Sequence, residues 1–487
     1  MAQWPSTLKQ YPLMRLLIAI VFLLGFAGCD KTNKPVPPVS QTGELIVLTR
    51  NSPTTYYEDA EGNPVGLEHD LVELFAKELG VKATFVVAQQ FNQIIPDLLQ
   101  NQAHLAAAGL TITTERSQKL LFSPFYQSVT QQLIYNTDFP KPRTIKDLIG
   151  KRIEVVAGSS YVERLKEVRT VAPTLTWAET KKMESEDLLE KLAQGGIDHV
   201  VADSNIVDVV KNFYPNIGVA FPLGTTDQLA WAFPKDAEPF LVIKAEAFFK
   251  RIRSDGTLKI LLDRYYGHVK RLERADVSGI LEKMRTDLPR FRAMFQRAQE
   301  ISGIDWRLIA ALGYQESHWD PLATSPTGVR GLMMLTDDTA DRMGVNNRLD
   351  PNECIPGGAR YLVNMKDMIP ARIPEPDRTW LALAAYNVGY GHLEDARILA
   401  QRQKLNPDSW ADLKKVLPLL SKSEYHSTLK HGYARGGEPV IFTENVHTYY
   451  DILVKFEKPY KPVFPTFEPS KLSKNGTQGT SLSRPPT

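Results

Sequence analysis

Residues 44–87 read ELIVLTRNSPTTYYEDAEGNPVGLEHDLVELFAKELGVKATFVV, and the change of pattern along this stretch decides the fold class of the first half of the chain. Glu44–Thr49 (ELIVLT) is an apolar run of strand length. A glycine-containing turn follows at Glu61-Gly62-Asn63. Residues 70–79 then bring Leu71, Leu74, Phe75 and Leu79 to one helical face, with Gly80 as the stop. Residues 81–87 return to a strand pattern. Strand, helix and strand in this order predict an open α/β sheet, where ligands sit at the carboxyl ends of the strands. The pattern recurs after Ile145: a strand at 153–157, a Gly158-Ser159-Ser160 turn, a helix, and a strand at 199–202. Two α/β lobes of this size predict a clamshell that closes on a small molecule.

After Gly267 the periodicity becomes helical. Residues 288–301 are strongly amphipathic. Asp305 is a good N-cap for a helix over 306–319 (WRLIAALGYQESHW), with Leu308, Ile309, Leu312 and Trp319 on or near one stripe and Asp320-Pro321 as its end. Residues 379–386 (TWLALAAY) and 445–456 read as further buried helices. Strand signals are few, so an all-α domain over 268–457 follows the α/β domain over 44–267. The fold class is multidomain.

A chain of 487 residues is too long for one hydrophobic core, which agrees with this division. Its 43% hydrophobic and 23% charged residues exclude a mostly disordered protein. The 58 basic and 56 acidic residues leave a net charge of +2, and the excess lies in residues 1–28, so nucleic-acid binding is not expected. Cys29 and Cys354 are too few for a disulfide framework and lack metal-ligand spacing. The nine histidines are scattered, and the nearest pair, His426 and His431, reads as surface. No metal and no cofactor are expected.

Lys9 and Arg15 precede an uncharged run over 16–28 (LLIAIVFLLGFAG), which as a helix spans roughly 20 Å, short of the ~30 Å hydrocarbon core. That length fits the apolar region of a signal peptide over 1–28. Phe26-Ala27-Gly28-Cys29 resembles a bacterial lipobox, with Phe26 in place of the usual leucine; the resemblance implies lipidation at Cys29. Ordinary cleavage near Gly28 and an uncleaved anchor are the alternatives. Two or three acyl chains anchor a protein stably to a membrane. The periplasmic face of the outer membrane is the expected location. The inner membrane is the alternative, because Asp30 resembles a retention signal. Residues 29–43 read as the lipidated cysteine and a polar, Pro-rich tether, and 458–487, with six prolines, as a disordered tail.

Four places in the second half carry chemistry. Glu316-Ser317 lies near the end of an apolar helix, where a desolvated carboxyl keeps its proton near neutral pH. Gly328-Val329-Arg330-Gly331-Leu332-Met333-Met334 is a glycine-punctuated loop entering a helix. Ala384-Ala385-Tyr386-Asn387-Val388-Gly389 ends a small-residue helix, and Thr448-Tyr449-Tyr450 is an aromatic run. Taken singly, each also fits a packing or capping role. Their order and spacing resemble the lytic transglycosylase domain of the lysozyme-like superfamily. That resemblance implies Glu316 as the single catalytic acid, with substrate contacts from Ser317, Gly331, Leu332, Met333, Tyr386, Asn387 and Tyr449. Met334 stands where most relatives carry Gln.

The first half resembles the periplasmic amino-acid-binding proteins of solute-binding family 3. Gly66-Leu67-Glu68-His69-Asp70-Leu71, residues 109–126 (GLTITTERSQKLLFSPFY), 198–203 (DHVVAD) and 254–267 (SDGTLKILLDRYYG) carry it. The resemblance implies a ligand carboxylate held by Arg116, Thr111 and Ser159, a ligand amine held by Asp203, and an aromatic wall from Tyr56 or Tyr57. The alternative is that Arg116 pairs with Glu115 or another acid. The two resemblances in this order look like a membrane-bound lytic murein transglycosylase acting on peptidoglycan glycan strands, with stem peptides or muropeptides as candidate ligands of the first domain. Hydrolysis of a glycosidic bond normally needs two carboxyl groups, whereas these motifs supply one, so the expected product is a 1,6-anhydro end. A lysozyme-like hydrolase and a non-enzymatic solute receptor are the competing readings.

Overall fold

The computed structural model describes residues 35–59, 62–326 and 328–462. In the first lobe β1 (Glu44–Thr49) pairs in parallel with β2 (Lys82–Val87), from Glu44 opposite Lys82 to Thr49 opposite Val87. The crossover between them carries α1 (Leu67–Leu79), which buries Leu67, Leu71, Val72, Phe75 and Ala76. Gly66 precedes it for a steric reason: a Cβ there would lie 2.2 Å from the Thr55 carbonyl oxygen. β3 (Leu105–Ala106) runs parallel to β1 on its other side, and β4 (Leu120–Phe122) lies farther out.

The chain then builds a second lobe from β5 (Gln127–Asn136), β6 (Ile153–Val156), β7 (Ala178–Thr180), β8 (His199–Asp203) and β9 (Ile217–Leu229), in the sheet order β9-β5-β8-β6-β7. Two helices of this lobe, α2 (Ser160–Val171) and α3 (Ser185–Ala193), start close to the gap between the lobes. The return strand β10 (Ala232–Pro234) inserts antiparallel between β3 and β4, so the first sheet reads β2-β1-β3-β10-β4. Both sheets are mixed, because strands that carry the chain out of and back into a lobe run against the βαβ strands. Helices α4 (Pro239–Ser254) and α5 (Thr257–Tyr266) complete this half.

The second half is helical among the described residues: α6 (Arg274–Thr286), α7 (Leu288–Ser302), α8 (Trp306–Ser317), α9 (Asp337–Met343), α10 (Pro351–Met368), α11 (Asp377–Val388), α12 (Tyr390–Arg402), α13 (Trp410–Val416) and α14 (Gly437–Phe456) are its main elements. They share one hydrophobic core. α8 is its central rod, buried at every residue from Trp306 to Tyr314, as an all-round apolar helix must be. Asp305 caps it by accepting the Arg307 N–H at 2.8 Å and also holds the buried Arg307 guanidinium.

Four expectations change. α8 stops at Ser317 because His318 and Trp319 both turn left-handed, at φ 52° and 58°. Trp319 remains buried only by folding back, where its indole N–H donates to the Ala310 carbonyl at 2.8 Å. The last helix begins at Gly437, earlier than residue 445, since Pro439 falls in its first turn, where a missing N–H costs nothing. The second half of the tether is docked: Val39 is buried, its N–H donates to Glu238 at 2.7 Å, and the Pro37 carbonyl bonds His104. The start of the tail is docked as well, with the Lys458 carbonyl accepting from the Trp306 indole at 3.3 Å and the Tyr460 carbonyl from Gln299 at 3.1 Å. The signal segment, Cys29 and residues 463–487 lie outside the described residues.

The two halves meet along α5. Lys414 of α13 lies 2.8 Å from Asp263 and 3.3 Å from the buried Glu444 of α14. Arg264 joins Asp70 near the start of α1 (3.3 Å) to Asp377 at the start of α11 (3.0 Å).

Glu68 anchors the first lobe from inside. Its carboxylate accepts from the Gly109 N–H at 2.7 Å, from the Trp231 indole at 3.1 Å and from the Tyr126 hydroxyl. Burial outweighs these bonds and pushes its pKa up to about 7. The folded protein therefore holds this proton more tightly than the unfolded chain does. The resulting stabilisation is complete below about 4.5 and is lost as pH rises through about 7. Urea denaturation at pH 5 and pH 8 should show the wild type losing about 3 kcal/mol more than Glu68→Gln over this interval. Parallel pH profiles for the two proteins would refute this.

Candidate active site

Glu316 occupies the last turn of α8, one residue before the helix ends. Burial alone pushes its pKa up to about 8, with no neighbouring charge contributing. The negative end of the helix dipole acts in the same direction. None of the described residues hydrogen-bonds this carboxyl. Its charge is felt by Tyr386 and Cys354, which identifies the face it presents. Asp320, the next acid along the chain, is exposed and accepts the Leu322 N–H at 2.9 Å, a turn-capping role.

The glycine-punctuated loop packs against this end of α8. Ser317 donates its hydroxyl to the Leu332 carbonyl at 2.9 Å, tying the helix end to the loop, and accepts the Asp320 N–H at 3.1 Å. Gly331 sits at φ +81°, and a Cβ there would fall 1.8 Å from the Arg348 carbonyl oxygen, so no other residue fits. Leu332 and Met333 are fully buried, and the Met333 N–H points at the Cys354 sulfur, 3.4 Å away. An antiparallel bridge between Arg330 and Leu335 closes the loop, and the Arg348 guanidinium donates to the Gly328 and Leu335 carbonyls. The following helix, α9, starts only at Asp337, capped by Thr336, because Met334 is left-handed at φ 46°.

Tyr386 reaches in from α11 and donates its hydroxyl to the Met333 carbonyl at 3.1 Å. Asn387, next to it at the helix end, is exposed to solvent. Glu316, Ser317, Gly331, Leu332, Met333 and Tyr386 thus converge from α8, the loop and α11, with Asn387 following Tyr386 at the exposed helix end. Tyr449 does not join them. Its ring packs edge-on against Tyr314 at 4.8 Å, two positions before Glu316 and therefore about 200° around α8. Both tyrosines line a separate groove with Asp276, Lys283 and His318. Spacing along the chain could not distinguish the two faces. Cys354 and Arg348, which shape the loop, carried no signal in the sequence.

In the first domain Thr111, Arg116, Ser159 and Asp203 line one cavity between the lobes, beyond the carboxyl ends of β1, β6 and β8. Arg50, not singled out in the sequence, lines it too. Its aromatic lining is Phe91 and Tyr161, with the Arg50 guanidinium 5.6 Å from the Phe91 ring centre; neither Tyr56 nor Tyr57 lines it, and Tyr56 packs on His69 and Phe85 instead. The lobes are drawn together by their own charges. Arg116 bonds Glu163 at 3.1 Å and the Thr111 and Gly158 carbonyls, so an acid does engage it, and that acid is Glu163. Glu115 pairs with Lys119. Arg50 bonds Glu184 at 2.9 Å. The remaining cavity of about 20 Å³ is water-sized. Burial raises the Asp203 carboxyl to about pKa 7, and its Oδ1 has no hydrogen-bond partner among the described residues.

Residues 45–268 match the model of the bacterial extracellular solute-binding proteins, family 3, and residues 293–408 match the transglycosylase SLT domain. Glu316, the loop and Tyr386-Asn387 fall inside the second match and Tyr449 outside it. Curated relatives extend across both. The membrane-bound lytic murein transglycosylase F of Methylobacillus flagellatus is 50% identical, covering 94% of this chain and 98% of the relative. That of Nitrosospira multiformis is 52% identical over 93% and 95%, and that of Thiobacillus denitrificans 44% identical over 91% and 94%. A binding-protein fold followed by a helical domain that presents one desolvated glutamate, matched end to end at this identity, places the chain in the membrane-bound lytic murein transglycosylase F family.

Proposed function

We propose that this protein cleaves the β-1,4 bond between MurNAc and GlcNAc in murein without water and leaves 1,6-anhydro-MurNAc ends. The observation that carries this reading is Glu316: a carboxyl raised by burial, with no second acid acting on it. Hydrolysis normally needs a second carboxyl as nucleophile or water base. One is enough when the substrate supplies the nucleophile. Glu316 gives its proton to the glycosidic oxygen as the C1–O bond breaks, and the MurNAc acetamido oxygen stabilises the developing cation. The resulting carboxylate takes the proton of the C6 hydroxyl, whose oxygen bonds to C1. The ring closes and Glu316 ends protonated, ready for another cycle.

Tyr386 and Asn387 position the sugar and its acetamido group. Ser317 acts through the loop, because its hydroxyl is committed to the Leu332 carbonyl. A lipid on Cys29 attaches the protein to the periplasmic face of the outer membrane; among the described residues no helix is long and apolar enough to cross a membrane. The first domain takes an amino acid or murein stem peptide, with its carboxylate on Arg116, Thr111 and Ser159 and its amine on Asp203. Binding changes access to the glycan groove. The unpartnered Asp203 oxygen supports this, and the ligand has to displace the Arg116–Glu163 pair on entry.

Glu316→Gln should abolish cleavage while leaving the fold and glycan binding intact, whereas Asp320→Asn should keep most activity. Mass analysis of digested murein should give products one water lighter than a muramidase gives. Reducing MurNAc ends, or equal losses in the two variants, would establish the hydrolase instead.

The acid form of Glu316 starts the reaction, so the rate should hold up to about pH 8 and fall above it. An alkaline limb that sets in near pH 5 would contradict a buried proton donor.

Arg116→Ala should lose calorimetric binding of stem peptides and any rate response to them, with basal cleavage unchanged. No heat from the wild type with these peptides would leave the cleft without that ligand.

A further inference from the structure

We propose that His268, His447 and Asp451 form a non-catalytic site for a divalent transition metal, zinc in the first instance, which staples the two domains together. His268 is the last residue matched by the binding-protein model, while His447 and Asp451 lie on the final helix α14. His447 and Asp451 are four residues apart and so share one helix face, a chelating spacing. The His268 Nε2 lies 2.7 Å from Asp451 Oδ2, the His447 Nε2 lies 4.0 Å from Asp451 Oδ1, and all three ligand atoms fall within 4.8 Å of one another.

Two histidines and one carboxylate suit zinc, which takes three protein ligands and leaves a fourth position for water. The His447 ring has no hydrogen bond from the described residues, although it is packed between the His268 ring (3.6 Å) and the Trp380 indole (4.1 Å). The carboxylate end of the cluster is open, because the Asp451 side chain is 38% exposed. The His268 backbone is held on both sides: its carbonyl accepts from Thr448 at 3.3 Å, and the next carbonyl, Val269, from Asn212 at 2.9 Å. The nearby Lys414 is already neutralised by Asp263 and Glu444.

Metal–ligand bonds of about 2.0–2.2 Å put tetrahedral ligand atoms roughly 3.3–3.5 Å apart, so the His447–Asp451 gap closes by about half an ångström. The metal replaces the proton between His268 and Asp451. Lone pairs of stacked imidazoles run side by side, so binding also turns the two rings out of their stack and moves His447 against Trp380.

The full chain, without a histidine tag and stripped with EDTA, is titrated with zinc alone, reading stoichiometry by calorimetry and environment by Trp fluorescence. One equivalent should bind, with a fluorescence change and a raised Tm. His447→Gln and Asp451→Asn, checked for fold by circular dichroism, should each weaken binding at least about tenfold and lose the Tm shift. A wild type that takes up no stoichiometric zinc would overturn the proposal, as would two folded variants that bind zinc as well as the wild type.

Discussion

Glu316 is largely desolvated, among the described residues no cation and no hydrogen-bond donor offsets the loss, and the helical domain is organised around supporting that cost. A carboxyl in this situation keeps its proton, which removes the Born penalty and leaves an acid that can act near neutral pH. The surrounding backbone has to be stiff enough to hold the half-buried carboxyl in this setting. Two successive left-handed residues end α8 directly after Ser317, a conformation that persists only where neighbours over-determine it. They do so here: Trp319 is pinned to Ala310, Lys283 donates to the His318 carbonyl at 3.0 Å, and Ser317 is tied to Leu332. The glycine loop and Tyr386 then hang from this fixed end through the Leu332 and Met333 carbonyls.

The binding-protein half solves the opposite problem. Its interlobe surface carries two buried guanidinium groups, and buried charges need partners. Arg50 and Arg116 from one lobe meet Glu184 and Glu163 from the other, so the lobes close on each other's charges. Any ligand has to exchange contacts with these pairs, and its affinity is the difference between the two sets of contacts. The same groups that give the cleft its polarity therefore set the threshold for entering it.

The halves are joined by charge as well as by the packing of Phe213 and Tyr214 against Phe456. Arg264 links the start of α1 to the start of α11, and the far end of α11 carries Tyr386 and Asn387. Lys414 links α5 to the buried Glu444 of α14. Ion pairs of this kind fix orientation through geometry and tolerate rearrangement better than an interdigitated core does.

Local pattern determined much of this protein. The alternation in 44–87 was enough for the α/β lobes, because strand and helix periods are properties of consecutive residues. The apolar run before Glu316 was enough for a buried helix, and the order of its motifs was enough to anticipate that the 331–333 loop and Tyr386 meet the end of that helix. Tertiary structure decided what depends on direction and on distant partners. It placed Tyr449 on the other face of α8, because angle around a helix relative to a neighbour is not encoded in spacing. It stopped α8 at Ser317 through backbone inversion, where the apolar Trp319 suggested continuation. It gave Arg116 to Glu163 and brought Arg50 into the cleft, since ion pairs between lobes join residues 47 and 134 positions apart. It also brought His268 to His447 and Asp451, a contact between domains that no local pattern contains.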